Sequence, residues 1–373
     1  MLYIHVPFCK SRCIYCDFYS TTATEDFRKA YVRAAQAEMT KRSGELQGTP
    51  LQSIYFGGGT PSQLQPDDIA GLLDTAAAYG WQKDVEITLE ANPDDITLDF
   101  ARSLRGLGIN RVSMGIQSFN DKVLNVLCRR HSAQQAHDAV ETLLKAGFEN
   151  ISIDLIYGLP VQTAEDWQKD LEKAFSLPIT HLSAYALSIE EGTPLDRLMM
   201  EGKFKVKDEQ TYISEYEQLM DAALKHGFIH YEISNFARKG RESRHNSGYW
   251  EERPYVGIGP GACSFDGQRT RRTNLPDLKA YVAGMGQPAH EDERLSDGEL
   301  FNETVFTALR TRQGLSVPKL QERFPPSWID ELQQAARPHV EAGRLAEKEG
   351  GELVLTKNGL FVSNDVMSDL MRV

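Results

Sequence analysis

Cys9, Cys13 and Cys16 fall close together near the start of the chain, spaced Cys-x3-Cys-x2-Cys. Thiolates are soft ligands for iron and zinc, and three on one short loop can grip three irons of a [4Fe–4S] cube. Most such cubes take a fourth cysteine. With three, one iron keeps an open position for an exchangeable ligand, as catalytic metal sites do. Zinc is the other metal reading, but zinc motifs usually come as two pairs, and no second cysteine pair or histidine cluster occurs. Three free thiols without metal form a further alternative. Lys10 and Arg12 sit between the ligands and can offset cluster charge. Cys128 and Cys263 are isolated and read as small packed residues.

Such a loop needs a frame. Short β-branched and aromatic runs at 2–6, 53–56, 86–90, 111–115, 152–157 and 181–186 read as strands. Between them, 66–79, 98–107, 133–146 and 164–175 carry apolar residues at helical spacing. Gly108 and Gly147 read as helix C-caps. Six βα units in series imply a parallel sheet with right-handed crossovers. At ~30–40 residues per unit, an open or partial barrel suits the chain better than a complete eightfold one. Polar residues and glycines cluster where these strands end, the face on which parallel α/β folds build their sites. They are Gly57-Gly58-Gly59-Thr60-Pro61, Glu90-Ala91-Asn92-Pro93, Gln117 and Asp154.

Beyond residue 190 the rhythm changes. Residues 207–225 read as a helix, 232–261 as irregular chain and 276–297 as a connection. Helices follow, then a hairpin over 344–356 turning at Gly350-Gly351, a winged-helix-like pattern. The expected organisation is 1–230, a partial barrel; 231–289, a connecting segment; and 290–373, a small C-terminal domain. Gly257-Ile258-Gly259-Pro260-Gly261-Ala262 lacks the spacing of a dinucleotide-binding turn and reads as a tight backbone passage.

Composition sets the outer limits. The 373 residues include 41 Lys plus Arg and 53 Asp plus Glu, for a net charge of −12. An acidic chain argues against a general nucleic-acid binder, since phosphate neutralisation needs excess cations. The winged-helix-like region is itself acidic, with 15 acidic and 10 basic residues over 290–373, so it reads as a structural or partner-docking domain. No apolar run approaches the ~18–20 residues of a transmembrane helix, and the short apolar start ending at Pro7 lacks the basic region of a signal peptide. A cytoplasmic protein is expected, where clustered thiols hold metal rather than disulfides.

The cysteine motif, with Tyr15 just before its last cysteine, resembles the radical S-adenosylmethionine superfamily. That likeness implies a partial (β/α)6 barrel, a [4Fe–4S] cluster on Cys9, Cys13 and Cys16, and S-adenosyl-L-methionine on the open iron. Tyr3-Ile4-His5-Val6-Pro7-Phe8-Cys9 and Ile156-Tyr157-Gly158-Leu159-Pro160 are similar to oxygen-independent coproporphyrinogen III dehydrogenase and its relatives. Carried over on that resemblance, Tyr3, Tyr15, Gly58, Gly59, Thr60, Glu90, Gln117, Arg129 and Asp154 would contact S-adenosylmethionine, with Glu90 on the ribose. Gly59, Thr60, Gln117, Arg129 and Asp154 would fall at a second such molecule.

Two departures stand out. The dehydrogenase carries a further cysteine two residues after the third, where this chain has Phe18. It also has an extended segment before its first strand, whereas the first strand here is expected almost at Met1. Instead His245-Asn246-Ser247-Gly248-Tyr249-Trp250 resembles the His-Asn-x-x-Tyr-Trp motif of HemW-type haem chaperones. A neutral imidazole suits haem iron, and Tyr and Trp offer flat faces to a porphyrin. This likeness implies haem on His245, Asn246, Tyr249 and Trp250, with Arg244 or Arg241 at a propionate. It also implies acceptor haemoproteins, respiratory ones among them, met transiently at the membrane surface. The alternative is the dehydrogenase itself, an enzyme of radical oxidative decarboxylation in haem biosynthesis.

Overall fold

The computed structural model describes residues 1–46 and 48–372. The first six strands are β1 (Leu2–Val6), β2 (Leu51–Gly58), β3 (Trp81–Ala91), β4 (Arg111–Gln117), β5 (Ile151–Tyr157) and β6 (His181–Ala186). They lie side by side in chain order and all run parallel. An order without reversal keeps every right-handed crossover on one face, which makes a partial barrel and not a doubly wound sheet. The expected six-unit partial barrel is therefore the fold.

The helices among these strands are α1 (Glu25–Arg42), α2 (Pro66–Ala76), α3 (Leu98–Gly106), α4 (Asp121–Val126), α5 (Ala133–Lys145) and α6 (Ala164–Ser176). Local chemistry sets their ends. Ser132 with Gln135, and Thr163 with Asp166, form capping boxes that satisfy the first free N–H groups of α5 and α6. Gly108 and Gly147, just past α3 and α5, take φ of 91° and 90°, the left-handed conformation a helix C-terminus favours. The outer faces of the strands, Ile4, Phe56, Leu89, Met114, Ile153 and Leu182 among them, form one core with these helices. Period-two alternation turns the polar partners of those residues inward.

Next come α7 (Pro194–Met200), α8 (Glu209–Lys225), β7 (Ile229–Glu232), β8 (Asn235–Ala237), α9 (Arg244–Trp250) and β9 (Val256–Ile258). The stretch expected to be irregular is thus ordered. Strand β9 pairs parallel with β1, and β8 pairs antiparallel with β6, so both edges of the main sheet are extended to nine strands. Gly257 and Gly259 permit this close passage. A Cβ would lie 2.0 Å from the Cys263 carbonyl oxygen at the first and 2.6 Å from the His5 carbonyl oxygen at the second.

The expected connection over 276–297 likewise contains elements. Strands β10 (Cys263–Phe265), β11 (Thr270–Asn274) and β12 (His290–Arg294) form an antiparallel sheet, with α10 (Leu278–Gly284) between the last two. Then follow α11 (Asp297–Leu309), β13 (Leu315–Ser316), α12 (Val317–Arg323), α13 (Pro326–Glu341), β14 (Leu345–Glu347) and β15 (Glu352–Leu355), and two short helices end the chain. Three helices with a β13-β15-β14 sheet make the winged-helix-like arrangement, with its own core around Phe301, Val305, Leu320, Leu332 and Val366.

Candidate functional site

The cysteine loop leaves the C-terminal end of β1 and is closed at its neck. Thr21 N–H donates to the Pro7 carbonyl at 2.7 Å, and Cys9 N–H donates to the Thr21 carbonyl at 3.0 Å. The glycine run after β2 lies against it. Gly59 N–H donates to Val6 O at 2.8 Å and Thr60 N–H to Phe8 O at 2.7 Å. A side chain at Gly59 would sit 2.8 Å from Phe8 O, so backbone contact this close requires glycine. Farther round the loop, Ile14 packs with Val123, Leu127, Leu159 and Leu195 and is tied to Leu127 and Leu195 by its own N–H and C=O.

Cys9, Cys13 and Cys16 are half-buried free thiols. Thr60 Oγ1 donates to Cys9 Sγ at 3.4 Å, and Arg129 Nη1 donates to Cys13 Sγ at 3.2 Å. Burial pushes the Cys16 thiol up to about 11. Among the described residues, no three Cys, His, Asp or Glu converge as a single ion would need. Thiolates that each hold a different iron need not converge in that way. The donor set fits a cube: three thiols on one loop, with a guanidinium to balance thiolate charge. Cys128 and Cys263, expected to be packed, are instead exposed. Phe18 is 63% exposed at the loop's outer edge.

Below the loop, the inner faces of the strands are polar. Glu90 accepts from Tyr55 Oη at 2.7 Å and from Gly58 N–H at 3.2 Å. Burial pushes the Glu90 carboxyl up to about 7, against the pull of the Tyr55 hydrogen bond. Asp154 accepts from Ser113 Oγ at 3.3 Å, and burial raises it to about 6, against the pull of Ser183. A register shift between Gly115 and Gln117 ends β4 with Gln117 at φ 70°, a bulge that re-aims its side chain. Arg129 reaches across to Asn92 Oδ1 and Gly115 O, and its Nε is buried without a partner. The Tyr15 hydroxyl faces both Arg129 and Cys13, and burial raises its pKa. Gly58, Gly59, Thr60, Glu90, Gln117, Arg129 and Tyr15 are thus gathered at the C-terminal ends of the strands, with Asp154 midway along β5. Tyr3 lies deeper, with its hydroxyl 3.1 Å from His5 Nδ1 and its ring beside Tyr55.

The segment 245–250 lies elsewhere. It forms α9, which seats against the opposite, N-terminal ends of β2 and β3. Glu86 accepts from Arg244 N–H at 3.2 Å and His245 N–H at 3.1 Å, and Ser243 caps the helix through Asn246 N–H. His245 is 1% exposed. Its Nδ1 is 2.9 Å from Ser53 Oγ and its Nε2 is 2.9 Å from Tyr249 Oη. Its ring stacks on Tyr55, centroids 4.9 Å apart at 28°. Burial pulls its pKa down to about 3, so the imidazole is neutral. Both ring nitrogens are hydrogen-bonded in this conformation. The expected propionate partners lie on the surface in exposed ion pairs. Arg244 pairs with Asp84 at 2.9 Å, and Arg241 lies 3.8 Å from Glu149.

The outer side of α9 is different. Ser247 and Trp250 line a cleft of about 560 Å³ shared with Thr311, Leu315, Lys319 and Arg323 of the C-terminal region. The Trp250 indole N–H is buried without a partner, and Arg310 covers its ring at 4.8 Å. Sequence reasoning overlooked Tyr55 and Ser53. The alternation of Ser53, Tyr55 and Gly57 along β2 was the available signal.

Comparison with known proteins accords with this geometry. The family model of the Radical SAM superfamily matches residues 3–174, and that of the HemN C-terminal domain matches residues 295–362. A protein of Lactococcus lactis named heme chaperone HemW is 35% identical over 372 residues, which cover 99% of this chain and 96% of that one. Its Bacillus subtilis namesake is 33% identical over 369 residues, covering 98% and 97%. Among solved structures, coproporphyrinogen III oxidase (HemN) from Escherichia coli superposes with a TM-score of 0.83 at 23% identity, covering 99% of this chain and 89% of its own. At that identity the likeness speaks for the fold. With its cysteine loop, its six-unit partial barrel and relatives aligned nearly end to end, the chain belongs to the HemW family of radical S-adenosylmethionine proteins.

Proposed function

We propose that this protein binds haem and hands it to acceptor haemoproteins, with a [4Fe–4S] cluster on Cys9, Cys13 and Cys16 and S-adenosylmethionine at the cluster's open iron. The carrying observation is likeness along 99% of the chain to a protein named heme chaperone. Such a cluster, once reduced, supplies an electron to the sulfonium of S-adenosylmethionine. The chain's own residues bind and orient. Arg129 offsets thiolate charge at Cys13, Thr60 steadies Cys9, and Glu90 offers a carboxylate to ribose hydroxyls. Gln117 and Asp154 offer further polar contacts on the neighbouring strands.

For haem, the motif helix offers the neutral imidazole of His245, which must leave Ser53 and Tyr249 to meet iron. Asn246, Tyr249 and Trp250 flank it on α9. Lys319, across the cleft from Trp250, is suited to a propionate, and Arg323 is suited to one once it leaves Glu252, to which it donates at 2.7 Å. The acceptors proposed are respiratory haemoproteins met at the membrane surface by a cytoplasmic protein. No helix among the described residues is long and apolar enough to cross a membrane.

The test is a haem titration followed visibly, then mixing of the loaded protein with a haem-free acceptor. Saturable binding and movement of haem to the acceptor are expected. A His245→Ala variant is expected to lose affinity and alter the haem spectrum. Unchanged affinity and spectrum in that variant would contradict the ligand assignment, and absence of binding to the wild type would contradict the function.

A further inference from the structure

Tyr55 belongs to two sites at once. Its hydroxyl donates to Glu90 Oε1 at 2.7 Å, and Glu90 Oε2 accepts from the N–H of Gly58 at 3.2 Å. Its ring stacks on His245 at 4.9 Å and lies 6.2 Å from the ring of Tyr3. His245 is fixed in turn by Ser53 and Tyr249. One side chain therefore connects a carboxylate at the C-terminal ends of the strands with the buried imidazole at their N-terminal ends. Strand geometry makes this possible. Ser53, Tyr55 and Gly57 share the inner face of β2, and Tyr55 and Thr88 are register partners on β2 and β3, two residues before Glu90.

We infer that Tyr55 couples occupancy of the S-adenosylmethionine site to the availability of His245, so that S-adenosylmethionine and haem bind antagonistically. The inference rests on the function proposed above. A ligand that engages Glu90 holds the carboxylate in place, and the carboxylate holds Tyr55 by its hydroxyl. The fixed ring then keeps His245 stacked in its pocket with both nitrogens bonded. Conversely, when His245 leaves to meet iron, Tyr55 loses its stacking partner and Glu90 is less firmly oriented. A carboxylate oxygen has lone pairs for both Tyr55 and a ribose hydroxyl, so the ligand need not displace the tyrosine. Tyr55 is on this reading a positioning residue. Coupling between two ligands is reciprocal, so each must weaken the other by one common factor.

The experiment uses the full chain with its cluster reconstituted anaerobically. Haem affinity is measured with and without S-adenosylmethionine, and S-adenosylmethionine affinity with and without haem. In the wild type each ligand is expected to weaken the other by the same factor, about fivefold or more, the lower end of ordinary allosteric couplings. Tyr55→Phe keeps the ring and removes only the hydroxyl, and is expected to bring that factor close to one while haem still binds. Tyr79→Phe, which loses a hydroxyl bonded to Met39 O elsewhere in the core, should keep the coupling. Backbone hydrogen exchange of α9 gives a readout without haem. S-adenosylmethionine should slow exchange over 244–250 in the wild type and not in Tyr55→Phe. Haem binding indifferent to S-adenosylmethionine in the wild type, or coupling that survives Tyr55→Phe, overturns this inference alone. A wild type that binds no haem overturns the proposed function and this inference with it.

Discussion

Arg129 donates to Cys13 Sγ at 3.2 Å and reaches the Asn92 side chain and the Gly115 carbonyl. It therefore links the cysteine loop to the ends of β3 and β4. Hydrogen bonds to charged groups contribute about 1.5–3 kcal/mol each. Arg129→Met should lower the iron content of the reconstituted protein and weaken S-adenosylmethionine binding about tenfold or more, checked by iron analysis and equilibrium binding. His245 is a different case, since its present role is packing. His245→Ala removes the partner of two buried hydroxyls, those of Ser53 and Tyr249, and should cost about 2–4 kcal/mol of unfolding free energy. Its folded pKa of about 3 lies below its ordinary value of 6.5. The unfolded state thus takes up a proton that the folded state refuses. This contribution to stability is full above 6.5 and declines as pH falls toward 3. The loss caused by His245→Ala should accordingly be larger at pH 7.5 than at pH 5 in denaturant titrations. The grouping of Cys9, Cys13 and Cys16 on one loop was legible from spacing alone, because it is local in the chain. The burial of His245 was not, because Ser53 lies 192 residues away in sequence.

At the scale of elements, the glycine run after β2 is where the sheet meets the loop. Gly58 has φ 105°, and a Cβ there would lie 2.5 Å from the His5 ring, while one at Gly59 would press on the backbone of Phe8 and Val6. Gly59→Ala should destabilise the fold by about 1–3 kcal/mol, the cost of forcing an extra methyl into packed backbone, and reduce cluster uptake, readable by unfolding and iron content. The helix α1 carries a second such junction. Fully buried Glu38 accepts from Arg42, Gly259 N–H, Asn274 and Tyr281 at 2.6–3.0 Å. It thus binds α1 to β9, β11 and α10. Glu38→Ala leaves Arg42 buried without that partner and should cost about 3–5 kcal/mol. Glu25→Ala, on an exposed i,i+4 pair with Lys29, should leave stability nearly unchanged, because solvent screens such a pair. The strands and most helices of the barrel could be read from apolar periodicity. Short α9 and β9 could not, because their order comes from distant partners, Glu86 for the helix and β1 for the strand.

At the scale of the molecule, the two ends of the barrel carry different sets of residues. The C-terminal ends of the strands gather the cysteines, Arg129 and Glu90, and Asp154 lies midway along β5. The N-terminal ends are covered by α9, whose outer side opens on the cleft toward the C-terminal region. That region is winged-helix-like in its order of elements but acidic, within a chain of net charge −12. It should show no measurable affinity for duplex DNA near physiological salt by fluorescence anisotropy, because too few cations are available to release counterions. Sequence likeness and fold likeness point to two proteins with different names, a heme chaperone and a coproporphyrinogen oxidase. The 35% identity along 99% of the chain is to the first, whereas at 23% identity the likeness to the second speaks for the fold alone. One sample decides between them. The protein is reconstituted anaerobically with iron and sulfide, and is then titrated with haem and supplied with coproporphyrinogen, S-adenosylmethionine and a reductant. The account predicts a [4Fe–4S] spectrum, saturable haem binding and no protoporphyrinogen. Turnover of coproporphyrinogen to protoporphyrinogen by a sample that takes up no haem would contradict it.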